Sequence, residues 1–208
     1  LDELSAAAQD LPASRPASEK GRVVQAAALA IKGRLLMAEE RWSDAASAYQ
    51  AIINSDVHQI DPRFEELFLD DGESSSEIIF AQQHLEDVYG EPCTQQRFGP
   101  SFYGGWDEMN IFQNLVDAYL MTDGKPIEES PLYDPENPFE NRDPRLYATI
   151  FLPGYTLFRG NTFQGHPDST DFGIANPSVP GATGYSLKKF FDEDYSGNRF
   201  AYGGDYPL

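Results

Sequence analysis

Between Gly21 and Asp56, apolar residues return about once per helical turn. Leu29 and Leu36, with their neighbours Ile31 and Leu35, alternate with Lys32, Arg34 and Glu39 on the intervening faces. Alanines and long unbranched side chains fill the remaining positions, and both residue types favour helix. A short break at Glu40 and Arg41 precedes Trp42, with Ser43 as the expected cap. A second apolar series follows in Ala45, Ala46, Tyr49, Ile52 and Ile53. The pattern predicts two antiparallel helices.

Set against the tetratricopeptide pattern, Gly33 is the small residue where the helices approach and Leu36 the large one a turn later. Ala45 and Tyr49 are the small and bulky contacts of the second helix, and Lys32 departs from the pattern at an apolar position. A single pair of this kind leaves its outer faces unburied, so it requires a neighbouring surface. The stretch Leu1 to Leu11 is expected to supply the last helix of a preceding pair, across a Pro12–Pro16 linker.

Beyond Val57 the chain changes to short elements among Gly, Pro, Asn and aromatic residues. Glu77 to Gln82 (EIIFAQ), after the turn-forming 72–76 segment, predicts a strand. Ile111 to Met121 predicts a helix stopped near Asp123 and Gly124, and Leu146 to Leu152 (LYATIFL) a second strand ended by Pro153 and Gly154. Pro153 to Gly184 reads as loop, and a loop of that length with so many aromatic residues points to function.

Three segments in this order resemble the SusD/RagB family of outer-membrane nutrient-binding proteins. They are AALAIKGRLLMAEERWSDAASAYQAIINS (Ala27 to Ser55), SSSEIIFAQQ (Ser74 to Gln83), and the pair LVDAYLMTDGKPI (Leu115 to Ile127) with NRDPRLYATIFLPG (Asn141 to Gly154). GYSLKKFFDED (Gly184 to Asp194) resembles the family's approach to its next helix. The resemblance implies a mainly α fold, in which tetratricopeptide-like hairpins support a loop-rich half with a few short strands. Residues 1–208 are then part of a single SusD-like domain, with 1–56 the helical portion and 57–208 the loop-rich, ligand-binding portion. It further implies an internal fragment of a protein with a lipidated amino-terminal cysteine, seated as a lid over a SusC-like TonB-dependent barrel at the cell surface.

Charge narrows the partners. With 15 Lys and Arg against 34 Asp and Glu the formal charge is −19, so a phosphate backbone meets net repulsion and nucleic-acid binding is not expected. No apolar run approaches the roughly 18 residues of a spanning helix. The single cysteine, Cys93, builds neither an internal disulfide nor a multi-cysteine metal site.

Two aromatic clusters are the candidate ligand sites. Phe98, Phe102, Tyr103 and Trp106 lie within FGPSFYGGW, where rings suited to stacking on the apolar faces of sugars alternate with glycines. The same rings would equally fill a satellite core beneath the loops. Tyr155, Phe158, Arg159 and Asn161 form the second cluster, continued by Phe163 and His166, and the arginine fork suits hydroxyls or a peptide carboxylate. The plainer alternative is a surface loop with a solvated arginine.

In NRDPRL, Asp143 is expected to open a turn or short helix at Pro144, and Arg142 to pair with an acid. Asp70, Asp71 and Glu73, with Asp192, Glu193 and Asp194, offer oxygens for a structural calcium but lack the alternation of an EF-hand, so solvated acids are the simpler account. His58, His84 and His166 lack the spacing of a zinc site, and no nucleophile elbow or phosphate loop is present. No cofactor and no catalytic residue are assigned. The expected function is non-enzymatic capture of glycan or peptide for a barrel transporter. The alternative is a tetratricopeptide-type adaptor that binds a protein segment, and a carboxylate glycosidase would need two acids facing each other at a set separation.

Overall fold

A computed structural model describes residues 1–19, 21–81, 98–99, 108–158, 160–165, 183–191 and 193. The chain divides into two compact units. Among the described residues, one comprises 1–63 with 71–81, and the other 64–70 with the later segments.

The first unit is built from α1 (Asp2–Asp10), α2 (Gln25–Ala38) and α3 (Trp42–Ile53). The expected hairpin is therefore present, and its contact is the expected one. At Gly33 α2 has no side chain because the Tyr49 ring occupies that space, and a Cβ there would come within 2.6 Å of Cζ. Leu36, Ala45 and Ala48 are buried around the same ring. The anomalous Lys32 turns toward α1, where its Nζ donates to Ser5 Oγ at 2.9 Å. Gln25 Nε2 also reaches the Ala8 carbonyl at 2.6 Å, so α1 packs on α2 as the preceding helix of the stack. Ile31, Leu35, Trp42 and Ile53 remain exposed, as they must on an isolated pair.

Ser43 is not the cap. Helix α3 already begins at Trp42, and Arg41 at the N-cap position makes no side-chain cap. Its guanidinium instead holds Asp44 at 2.7 Å, which places a carboxylate in the first turn where the helix dipole favours one.

The expected strand at Glu77–Gln82 is not formed over 77–81. A β-prone run becomes a strand only beside a partner, and among the described residues the segment is met by a backbone bond from Gln59 N–H to the Ser76 carbonyl. Glu77 serves a polar knot, accepting from the Asp61 N–H at 2.7 Å, while Ser75 Oγ donates to Asp61 Oδ2 at 2.9 Å.

Among its described residues the second unit contains α4 (Gln113–Ala118), α5 (Pro144–Thr149) and four two-residue strands: β1 (Ile150–Phe151), β2 (Leu157–Phe158), β3 (Asn161–Thr162) and β4 (Ser186–Leu187). Helix α4 is shorter than the apolar pattern of 111–121 predicts. Tertiary pairing claims both flanks, Asn110 bridging Ser186 and Met121 bridging Arg142. Gly124, at φ +78°, turns the chain only after that second bridge.

The Leu146–Leu152 strand is half helix. Asp143 caps α5 by accepting from the Arg145 N–H at 2.9 Å, and Pro144 supplies a preset first-turn φ, so 144–149 coil before the chain extends into β1. Strand β1 pairs antiparallel with β4, Ile150 opposite Leu187 and Phe151 opposite Ser186. Within 153–184, read as loop throughout, β2 and β3 form a hairpin with Leu157 opposite Thr162. Residues 166–182 of that stretch lie outside the described residues.

The core gathers Val116, Leu146, Ile150, Leu152 and Leu187 around Phe151, whose ring meets Phe158 at 5.2 Å, Phe163 at 5.6 Å and Phe191 at 6.3 Å. These edge and tilted geometries are those that aromatic quadrupoles favour.

Candidate functional site

The eight expected ligand residues have separate fates. Phe102, Tyr103, Trp106 and Arg159 lie outside the described residues. Phe98 is half-buried against the core. Phe158 was expected to face a ligand and is instead a core residue, 1% exposed: in the two-residue strand β2 Leu157 turns outward, so Phe158 must turn inward onto Phe151. Asn161 is exposed on β3, and Tyr155 is 48% exposed on the turn that follows β1.

Tyr155 does not stand alone. Its ring stacks on Tyr147 at 5.2 Å with 18° between the planes and meets the edge of Phe139 at 6.4 Å. Phe139 in turn meets Tyr185 edge-on at 6.2 Å. Four rings from α5, the turn before it and the segments beside β1 and β4 thus form a continuous aromatic row.

Polar groups punctuate the row. Tyr185 Oη donates to Gln113 Oε1 at 2.7 Å, and Tyr147 Oη donates to the Phe139 carbonyl at 2.6 Å. Burial pushes both phenols above their ordinary range, so each is a neutral hydroxyl at physiological pH. Tyr147, Phe139, Tyr185 and Gln113 escaped the sequence reading. All four lie at or beside segments singled out for other reasons, and only the fold brings them together.

Arg142 corrects a further expectation. It is 2% exposed, and among the described residues no acid pairs with it. Its Nη2 donates to the carbonyls of Val116 at 2.6 Å and Tyr119 at 2.9 Å, and Nη1 to Pro138 at 3.1 Å. A cation here meets the carbonyls at the end of α4, that of Val116 also accepting the Tyr119 N–H at 3.4 Å. Asp143, the acid next in sequence, pairs with Arg145 and is held below the usual carboxylate range chiefly by that hydrogen bond.

A second aromatic group is already filled. Lys189 Nζ lies 3.4 Å from the Phe68 ring centre and 5.0 Å from that of Phe64, a cation–π clasp between segments distant in sequence. Lys188 adds an ion pair to Glu65 at 2.6 Å. In the helical unit a cavity of about 480 Å³ is lined by Ser5, Leu29, Lys32, Leu36, Arg41 and Asp44, among others. Among the described residues no group of three metal-ligating side chains converges, and no helix is long and apolar enough to cross a membrane. Asp71, Glu73 and Glu193 are exposed.

Residues 76–208 match the model of the SusD family. The chain belongs to that family. It is similar, at 31% identity over 99% of its length and a TM-score of 0.82, to the crystal structure of a SusD-like carbohydrate-binding protein from Bacteroides fragilis. A second SusD-like protein from the same organism aligns at 25% identity over 94% of the chain, TM-score 0.70. A SusD superfamily protein from Bacteroides vulgatus, at 21% identity over 91% of the chain and a TM-score of 0.59, shares the fold. The chain spans 41%, 43% and 36% of the lengths of these three structures. No curated protein matches it. The mainly α, SusD-like architecture is thus shared with solved members of the family, and the aromatic row belongs to a SusD-family chain.

Proposed function

We propose that this SusD-family chain takes part in non-enzymatic capture of a glycan, with Tyr155 as the central stacking surface of its described portion. The observation that carries the proposal is the 48% exposed Tyr155 ring, backed by Tyr147 and continued through Phe139 to Tyr185. Flat rings match the apolar faces of pyranoses, and the hydroxyls and amides along the row match their equatorial hydroxyls. The similarity over 99% of the chain to a protein described as carbohydrate-binding supports the choice of glycan over peptide.

Asp61, Asp134 and Asp143 are held low, chiefly by hydrogen bonds from Arg63, Asn137 and Arg145, so none of these three is the protonated general acid that a glycosidase needs.

In the whole protein this capture serves delivery to a SusC-like TonB-dependent barrel, from a lipid-anchored position on the outer face of the outer membrane. The helical portion, 1–56, is the support and the loop-rich portion, 57–208, is the binding part. Phe98, Phe102, Tyr103, Trp106, Arg159 and Asn161 extend the proposed ligand surface.

The test is affinity electrophoresis and calorimetry of the complete protein against plant and host polysaccharides. Tyr155→Ala is expected to weaken binding about tenfold, the value of one to one and a half kcal/mol of stacking, with no hydrolysis of the bound glycan. Undiminished binding by the variant removes the row as the site, and turnover by pure protein removes the non-enzymatic reading.

The second reading, an adaptor that holds a peptide segment, draws on the cavity lined by Lys32 and Leu36 in the helical unit. It predicts peptide binding that is indifferent to Tyr155→Ala.

A further inference from the structure

The exposed ring of Tyr155 owes its place to the groups packed beneath it. Tyr147, the ring beneath it, is fixed through its hydroxyl twice: Oη donates to the Phe139 carbonyl at 2.6 Å and accepts the Arg142 N–H at 3.1 Å. Both partners belong to the 138–142 turn. That turn carries Asn141 in the left-handed region, at φ +56°, which asparagine adopts more readily than most residues with a side chain.

The Arg142 side chain ties this turn to the core, alongside the backbone bonds from Thr122 N–H to the Asn141 carbonyl at 2.7 Å and from Asp143 N–H to the Leu120 carbonyl at 2.9 Å. The guanidinium reaches back to the Pro138 carbonyl at the start of the turn and forward to the Val116 and Tyr119 carbonyls at the end of α4. The turn is thereby tied to a helix of the core, with Val116 itself wholly buried. Phe139, inside the same turn, supplies the ring between Tyr155 and Tyr185. One buried side chain therefore braces, together with the Met121–Arg142 bridge, the turn that carries Phe139 and anchors the Tyr147 hydroxyl.

We infer that Arg142 is a positioning residue for the aromatic row, acting through the 138–142 turn and the Tyr147 hydroxyl to hold the Tyr155 face ready for a ligand. The inference deepens the glycan reading and rests on it for its function, although the mechanical link stands on geometry alone. Preorganisation of this kind raises affinity because the ring is ordered before the ligand arrives. A lysine at 142 would keep the charge and lose the fork that meets three carbonyls in two directions.

The test uses the full chain with 3-fluorotyrosine placed at position 155, and in a control sample at Tyr49 of the helical unit. In the native protein the ¹⁹F resonance at 155 is shifted from that of free fluorotyrosine by the ring of Tyr147 below it. Tyr147→Phe keeps that ring and deletes both hydrogen bonds, and Arg142→Lys loosens the turn. Each is expected to move the 155 resonance at least halfway to the free value while the resonance at 49 stays in place.

A 155 resonance unmoved in Tyr147→Phe overturns the inference, and so does a shift at 49 equal to that at 155, which would mark general loosening. A 155 resonance unmoved in Arg142→Lys overturns it too, and should Arg142→Lys fail to fold, Arg142→Gln is read in its place, because Tyr147→Phe leaves the guanidinium and its carbonyls intact. A second arm measures retardation in gels containing starch, xylan or laminarin, where Tyr147→Phe is expected to weaken binding about fivefold, the value of one hydrogen bond. If no gel retards the native protein, the glycan reading fails for those polymers, and the resonance still decides whether Arg142 positions the row.

Discussion

The helical unit and the loop-rich unit hold themselves together by different means. In the first, neighbouring helices make contacts at helical spacing: Gly33 admits the Tyr49 ring, Leu36 and Ala45 close around it, and most partners are near in sequence. In the second, two-residue strands and six-residue helices are too short to be stable alone. Order comes from Phe151 among three other rings and from Arg142 gathering carbonyls from two segments. A surface built of side chains from many segments can be shaped for a ligand, whereas a surface on one helix face is dictated by its period. The proposed binding row accordingly lies in the unit with less regular structure.

The sharpest way to break this contrast is at Phe151. Truncation to Ala removes the ring that three others share and is expected to destabilise the loop-rich unit by about 3–5 kcal/mol. Hydrogen exchange should show lost protection across 144–152 and 186–191 with 25–53 little changed. Equal loss in α2 and α3 would mean that the two units do not stabilise themselves separately.

A smaller effect is expected at Gly33. Alanine improves helix propensity by about 1 kcal/mol, but its Cβ would meet Tyr49 at 2.6 Å, and the displaced ring should leave a net loss of about 1 kcal/mol. A rise in melting temperature for Gly33→Ala would show that close approach of the helices is not what fixes the pair.

The pH dependence separates the units further. Asp61 in the helical unit and Asp143 in the other are lowered by Arg63 and Arg145 respectively. Their contributions are complete above the unfolded carboxylate value of about 4 and fade as pH falls below it toward the depressed folded values. Both units should therefore lose stability on the acid side. Tyr147 and Tyr185 are raised by burial, so their contribution is complete below about pH 10 and fades as pH rises through that value. The alkaline loss should appear first in near-ultraviolet signals of the loop-rich unit, and a loss confined to α1–α3 would contradict the assignment.

The smallest change is expected from Lys189→Met. It deletes the cation over Phe68 and keeps an apolar chain there, for a loss of about 0.5 kcal/mol. Urea melts of the two proteins would measure it.

Much of this molecule was legible from residue order, and the legible parts share one property. The pair α2–α3, the approach at Gly33 and Tyr49, and the Asp143–Pro144 opening of α5 depend on groups within a few residues of each other or on one helical period. The failures are equally consistent. EIIFAQ has the composition of a strand and forms none over its described residues 77–81, LYATIFL is divided by a cap its apolar pattern does not register, and Arg142 finds carbonyls in place of an acid.

Sequence by itself determined the helical pair and the family resemblance, because periodicity, capping and residue type are local quantities. Only the tertiary structure decided that Phe158 turns inward, that β1 pairs with β4, and that Tyr147, Phe139 and Tyr185 join Tyr155 in one row. Those outcomes depend on which distant segment arrives alongside, a choice made by burial and hydrogen bonding across the whole unit.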